Sequence, residues 1–173
     1  IYGHMNTLNA ETVGAAYYGN TPRYGQETPS AESFSSAGYL DVLFDIFGNP
    51  IFSLRDKPDF VAIDGANTTF FKTDTDGDGF PNFFGTSAAA PHAAAVAALM
   101  RDYNSGWTPS QIYSFMETTA IDMDDPFTAG FDTGYDWKTG FGLLHGMGAM
   151  MRAKGVYFQE NFAELNPFGD LAF

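Results

Sequence analysis

Residues 83–100 read Phe83-Phe84-Gly85-Thr86-Ser87-Ala88-Ala89-Ala90-Pro91-His92-Ala93-Ala94-Ala95-Val96-Ala97-Ala98-Leu99-Met100, a glycine turn that runs straight into an alanine-rich segment. Alanine is the best helix former, and a proline in the first turn or so displaces few or no intrahelical hydrogen bonds. A helix is therefore predicted from Ser87 to about Tyr103. Ser87 stands at its threshold, over the positive end of the helix dipole, where backbone N–H groups lack intrahelical acceptors and point toward any negative charge that forms. That is half of an oxyanion hole. Gly85 removes the side chain that would block an approaching carbonyl and accepts a positive φ. A serine here also suits a helix N-cap, and the two roles are compatible.

The eight consecutive residues Gly85-Thr86-Ser87-Ala88-Ala89-Ala90-Pro91-His92 resemble the nucleophile motif of the subtilisin-like serine proteases. Glu32-Ser33-Phe34-Ser35-Ser36-Ala37-Gly38, Lys57-Pro58-Asp59-Phe60-Val61-Ala62 and Thr139-Gly140-Phe141-Gly142-Leu143 resemble further segments of that family in the family's order. The resemblance spans most of residues 4–150. It implies an α/β fold, a subtilisin-like parallel sheet flanked by helices. It also implies serine endopeptidase chemistry in which Ser87 attacks a peptide carbonyl, the Ser87 amide helps hold the oxyanion, and water releases the acyl group. An α/β-hydrolase reading is disfavoured because Ser87 is followed by Ala88-Ala89 rather than by the x-Gly of Gly-x-Ser-x-Gly.

The chain has 173 residues, a formal charge of −13 and no cysteine. Its length suits one domain burying roughly 70% of its unfolded surface. So few basic residues argue against nucleic acid and anionic membrane surfaces as partners. Without cysteine there is neither a disulfide framework nor a thiolate metal site, and no apolar run approaches a membrane span. The chain opens at Ile1 on what reads as mid-domain sequence. The expectation is residues 1–155 as the carboxy-terminal part of a subtilase catalytic domain, followed by an aromatic tail at 156–173.

Along the chain, Thr12 to Tyr18 reads as a buried parallel strand and Asn20 to Ser30 as loop, with structural serines in the polar turn that follows. Leu40 to Phe47 and Ile51 to Leu54 read as a hairpin around Gly48-Asn49-Pro50. Phe60 to Ile63 is a second strand closed by Asp64-Gly65, where the family usually has Pro-Gly. Thr108-Pro109-Ser110-Gln111 is a capping box ahead of a helix whose Ile112, Phe115, Met116 and Thr119 share a face. Asp122 to Asp136 reads as an acidic loop. A last helix is predicted from about Leu143 to Lys154, with Gly155 as its stop.

Residues 74–82 read Asp74-Thr75-Asp76-Gly77-Asp78-Gly79-Phe80-Pro81-Asn82. Oxygens recur at alternate positions and glycine stands sixth, the front of a calcium loop. Asp74, Asp76, Asp78 and Asn82 are the candidate ligands of a structural cation. The twelfth position of the full motif should be glutamate and is Gly85; a solvated acidic turn is the alternative. No cofactor is expected for catalysis.

A serine hydroxyl needs an imidazole to take its proton, and the imidazole a carboxylate to orient it. His92 is five residues along the helix, about 500° of rotation or roughly 140° from Ser87, so it is read as a structural histidine. His4 and His145 do not match the family's base motif. The family's Asp, its His before Gly-Thr and its oxyanion Asn have no counterpart in this chain, so they are expected from sequence outside it, and these residues alone are expected to be inactive. The partners implied are a polypeptide substrate and the missing amino-terminal part of the domain. The family implies an extracellular, secreted setting. The competing reading is a non-catalytic subtilase-like module that binds calcium or a partner.

Overall fold

The computed structural model describes residues 1–156; the aromatic tail expected at 156–173 lies, apart from Val156, outside the described residues. The chain forms β1 (Val13–Tyr17), β2 (Leu40–Phe44), β3 (Pro50–Arg55), β4 (Phe60–Asp64), β5 (Ala66–Asn67), β6 (Asn82–Phe83), α1 (Thr86–Tyr103), α2 (Pro109–Glu117) and α3 (Gly146–Ala153).

β1 and β4 pair in parallel, from Val13 opposite Phe60 to Tyr17 opposite Asp64. Both are apolar runs, as strands covered on two faces require. Ala15, Phe60 and Ala62 face a core completed by Ala89 and Ala93 of α1, Met100, Ile112, Met116 and Ala149. Ala16 and Val61 face the other way, onto Met123 and Leu143. The alanines on α1 and β1 let helix and sheet approach closely, the jigsaw fit that dense interiors need. Ser35 is buried and its Oγ accepts the Ala15 N–H at 3.0 Å, tying the polar turn to β1. The structure thus contains parallel strands flanked by helices, the α/β arrangement expected from the sequence.

Three expectations are corrected. The first concerns α1, which starts at Thr86 with Gly85 as its N-cap, so Ser87 does not cap it and Pro91 falls in the second turn. There the proline leaves the Ser87 carbonyl without its usual helical donor. In the second, α3 begins at Gly146 rather than near Leu143, because Gly142 to Leu144 extend the sheet. The Leu143 N–H donates to Ile121 at 2.7 Å and the Leu144 N–H to Val61 at 2.7 Å. In the third, β2 ends at Phe44, because Asp45 accepts the N–H groups of Phe47 and Asn49 and closes the turn early. Two helix-end signals match the structure. Thr108 and Gln111 form the capping box of α2, and Gly155 follows α3 with φ +73°.

At the entry to the parallel strands, Lys57 Nζ donates to both oxygens of Asp59, at 2.8 and 2.7 Å, and to Ala10 O at 2.8 Å. Glu11 and Glu117 crowd the same place, their carboxyl oxygens and that of Asp59 all lying within 4.8 Å of one another. One lysine does not neutralise three carboxylates. Burial, with the charge of Asp59 adding to it, pushes Glu11 up to about 8. Its folded value lies above its unfolded one, so ionising it opposes folding: stability falls as pH rises from the ordinary glutamate range toward 8. Glu11→Gln removes that dependence. In melting curves of the full-length protein, the variant is expected to gain on the parent between pH 5 and pH 8. A constant difference would contradict this account of Glu11.

Candidate active site

The carboxyl ends of β1 and β4 meet the turn before α1, through Tyr17 against Phe84 and Asp64 against Gly85. Gly65 N–H donates to Phe83 O at 2.8 Å, and β5 pairs with β6, so the chain leaving β4 is stitched to the chain entering α1. Tyr17 stacks on Phe84 with ring centroids 5.5 Å apart, and Gly65 fits between them where a Cβ would lie 2.6 Å from Tyr17 and 2.9 Å from Phe84.

Gly85 takes φ +125°, a conformation that side chains resist, and its carbonyl accepts the N–H groups of Ala88 at 2.8 Å and Ala89 at 3.2 Å. This turn leaves Ser87 exposed on the first turn of α1. Neither the Ser87 N–H nor its hydroxyl has a hydrogen-bond partner among the described residues. An exposed hydroxyl beside an unengaged N–H at a helix N-terminus has the geometry for nucleophilic attack with oxyanion support. A shallow cleft opens next to it, lined by Ala66, Asn67, Thr68, Phe83, Ala88, Pro91 and His92.

None of the three histidines is hydrogen-bonded to Ser87. His92 is half-buried with Nδ1 2.9 Å from Ala88 O on its own helix, in keeping with a structural role. His4 is exposed in a short turn ahead of β1. His145 sits at the N-cap of α3, where burial lowers its pKa.

The acidic loop brings the carboxylates of Asp74, Asp76 and Asp78 together with oxygens within 4.8 Å of one another, all three exposed. Asp74 accepts the N–H groups of Gly77 at 2.7 Å and Gly79 at 2.9 Å, which curls the loop. Tyr18 donates to Asp76 and lowers its pKa. Asn82 is turned differently: its Oδ1 accepts the Thr75 N–H at 2.7 Å, while its Nδ2 points to Asp76 Oδ2 at 3.1 Å. The three aspartates fit a hard cation, whereas the Asn82 amide, presenting a donor to them, does not join the set.

One feature has no signal in the residues alone. The Glu11, Lys57, Asp59 and Glu117 cluster joins residues far apart in the chain and carries no local signature. Asp64, by contrast, announced itself as a departure from Pro-Gly. Its side chain accepts the Gly85 N–H at 2.6 Å, immediately below the Ser87 turn.

Comparison with known proteins bears on the family and the fold. The model of the Subtilase family matches residues 6–142. Two plant relatives are similar in sequence, both from Arabidopsis thaliana. The subtilisin-like protease SBT1.9 is 48% identical over 52 residues, covering 30% of this chain and 7% of that protein. The subtilisin-like protease SBT2.4 is 34% identical over 112 residues, covering 61% of this chain and 13% of that protein. The chain thus spans a small part of the relatives it matches. Among solved structures, fervidolysin from Fervidobacterium pennivorans, a keratinolytic enzyme related to subtilisin, superposes with a TM-score of 0.57 at 22% identity, over 86% of this chain and 20% of that one. That likeness bears on the fold, and the sequence match across most of the chain decides the family. The chain belongs to the subtilase family.

Proposed function

We propose that this chain carries the nucleophile of a serine endopeptidase, with Ser87 forming the acyl-enzyme and its own N–H supplying one oxyanion donor. The observation that carries the reading is the exposed Ser87, with hydroxyl and N–H both unengaged, on the first turn of α1. The histidine base, its orienting aspartate and the second oxyanion donor come from residues outside this chain. By itself the chain is then inactive, since serine without a base is a weak nucleophile. The substrate is a polypeptide, and the family's usual setting makes the protein extracellular. The experiment is hydrolysis of casein by the full-length protein with and without a fluorophosphonate. Hydrolysis that the reagent abolishes is expected; a folded protein that leaves casein intact would overturn the reading.

A second reading, a non-catalytic subtilase-like module that binds calcium or a partner, draws on the Asp74, Asp76 and Asp78 cluster. It requires the residues upstream of this chain to lack the family's Asp or His motif; finding both motifs there would leave it without support.

Calcium binding at Asp74, Asp76 and Asp78 is compatible with either reading. Asp76→Asn is expected to remove a calcium-dependent gain in melting temperature of the full-length protein. Calcium at a hundred times its dissociation constant stabilises by about 2.7 kcal/mol, well within detection. A melting temperature indifferent to calcium and chelator would discard the site.

A further inference from the structure

Asp64 ends β4 and is 0% exposed. Its Oδ2 accepts the Gly85 N–H at 2.6 Å, while its Oδ1 is buried without a partner among the described residues. Burying a carboxyl with one oxygen unsatisfied opposes folding, and an apolar residue in such a place is often neutral or stabilising. Something other than stability therefore accounts for an aspartate here. Of its neighbours, the Gly85 N–H and His92 on α1 favour the charged form of Asp64, and Asp64 in turn opposes ionisation of Glu32. Burial holds the carboxyl above the ordinary aspartate range, against the opposing pull of the Gly85 N–H.

The place of the hydrogen bond supplies the missing account. Gly85 lies two residues before Ser87 and has the backbone freedom to reorient, with φ +125° in a region that side chains resist. Its carbonyl is fixed by Ala88 and Ala89 of α1, and its N–H by Asp64, so the residue is clamped from both ends. A carboxylate at a helix N-terminus also interacts favourably with the dipole that supports Ser87.

We propose that Asp64 is a positioning residue for Ser87: by accepting the Gly85 N–H it fixes the peptide from which the Ser87 hydroxyl and N–H take their directions. The proposal rests on Ser87 being the nucleophile. Displacing a nucleophile by about 1 Å costs on the order of 10²-fold in rate, so loosening this clamp has a measurable effect without removing any reacting group.

The test compares the parent, D64V and D64N in the full-length protein, reading the rate of fluorophosphonate labelling and the melting temperature at pH 8. D64V fills a similar volume but offers no acceptor. It is expected to melt at or above the parent's temperature while labelling 10- to 100-fold more slowly, roughly the scale of a small misplacement. D64N retains an oxygen for the Gly85 N–H and is expected to recover most of the lost rate. A purely structural role would move rate and melting temperature together, so a D64V that fails to fold, or that labels at the parent's rate, overturns the proposal. So does a D64N as slow as D64V. If the parent itself is not labelled, the nucleophile reading fails instead, and the two failures are distinct.

Discussion

Ser87→Ala in the full-length protein is expected to reduce kcat/KM for peptide hydrolysis by about 10⁴- to 10⁶-fold, a magnitude taken over from subtilisin, itself a member of this family. The effect follows from chemistry: acyl transfer then has no nucleophile on the enzyme, and only the oxyanion donors and substrate binding remain. Stability should hardly move. Ser87 is exposed, it is not the cap of α1, and its hydroxyl has no partner among the described residues to lose. Substitutions of that kind stay within about 0.5 kcal/mol. A large loss of activity with an unchanged melting temperature is thus the expected pair. A variant that retains a tenth of the parent's kcat/KM would remove Ser87 from the chemistry.

Gly142→Ala is expected to produce the opposite pair, a loss of about 3 to 5 kcal/mol in folding free energy from steric overlap together with backbone strain. Gly142 has φ +104°, and a Cβ built there would lie 2.1 Å from the Ile121 carbonyl oxygen, a backbone atom that cannot swing aside. Relief would require breaking the paired hydrogen bonds between Ile121 and Leu143, at 2.8 and 2.7 Å, which hold Leu143 in the sheet. Gly155 is the control: its φ is +73° but nothing lies within 4 Å of a Cβ there. Gly155→Ala should therefore cost only the left-handed penalty of about 1 to 2 kcal/mol. Denaturant unfolding of both variants decides the matter, and equal costs would contradict the packing described for Gly142.

Which parts of this structure could be read from residues depends on whether the cause is local. The α1 helix, the capping box at Thr108 and Gln111, and the apolar runs that became β1 and β4 each carry their reason within a few neighbouring residues, and each formed close to its expected bounds. Leu143 lies in the sheet rather than at a helix start because a short apolar run suits either place, and Ile121 and Val61, distant in sequence, decide between them. Pro91 falls deeper in its helix than expected because α1 starts one residue earlier, at Thr86, with Gly85 as its N-cap.

The same distinction holds at the site. The Ser87 turn was legible because turn, serine and helix are contiguous. The alternating aspartates foretold converging carboxylates, but not the rotation of the Asn82 amide, which is set by Thr75, Gly65 and Asn67 together. The Asp64 contact to Gly85 bridges two strand-to-turn junctions that meet only when the sheet forms. Residue identity marked Asp64 as unusual, and only the fold shows what it touches.

The most direct test is to treat the full-length protein with a fluorophosphonate, digest it and locate the adduct by mass spectrometry. The account predicts a single adduct on Ser87, lost in Ser87→Ala. An adduct on a different serine, or none under conditions where a control subtilase reacts, would contradict it.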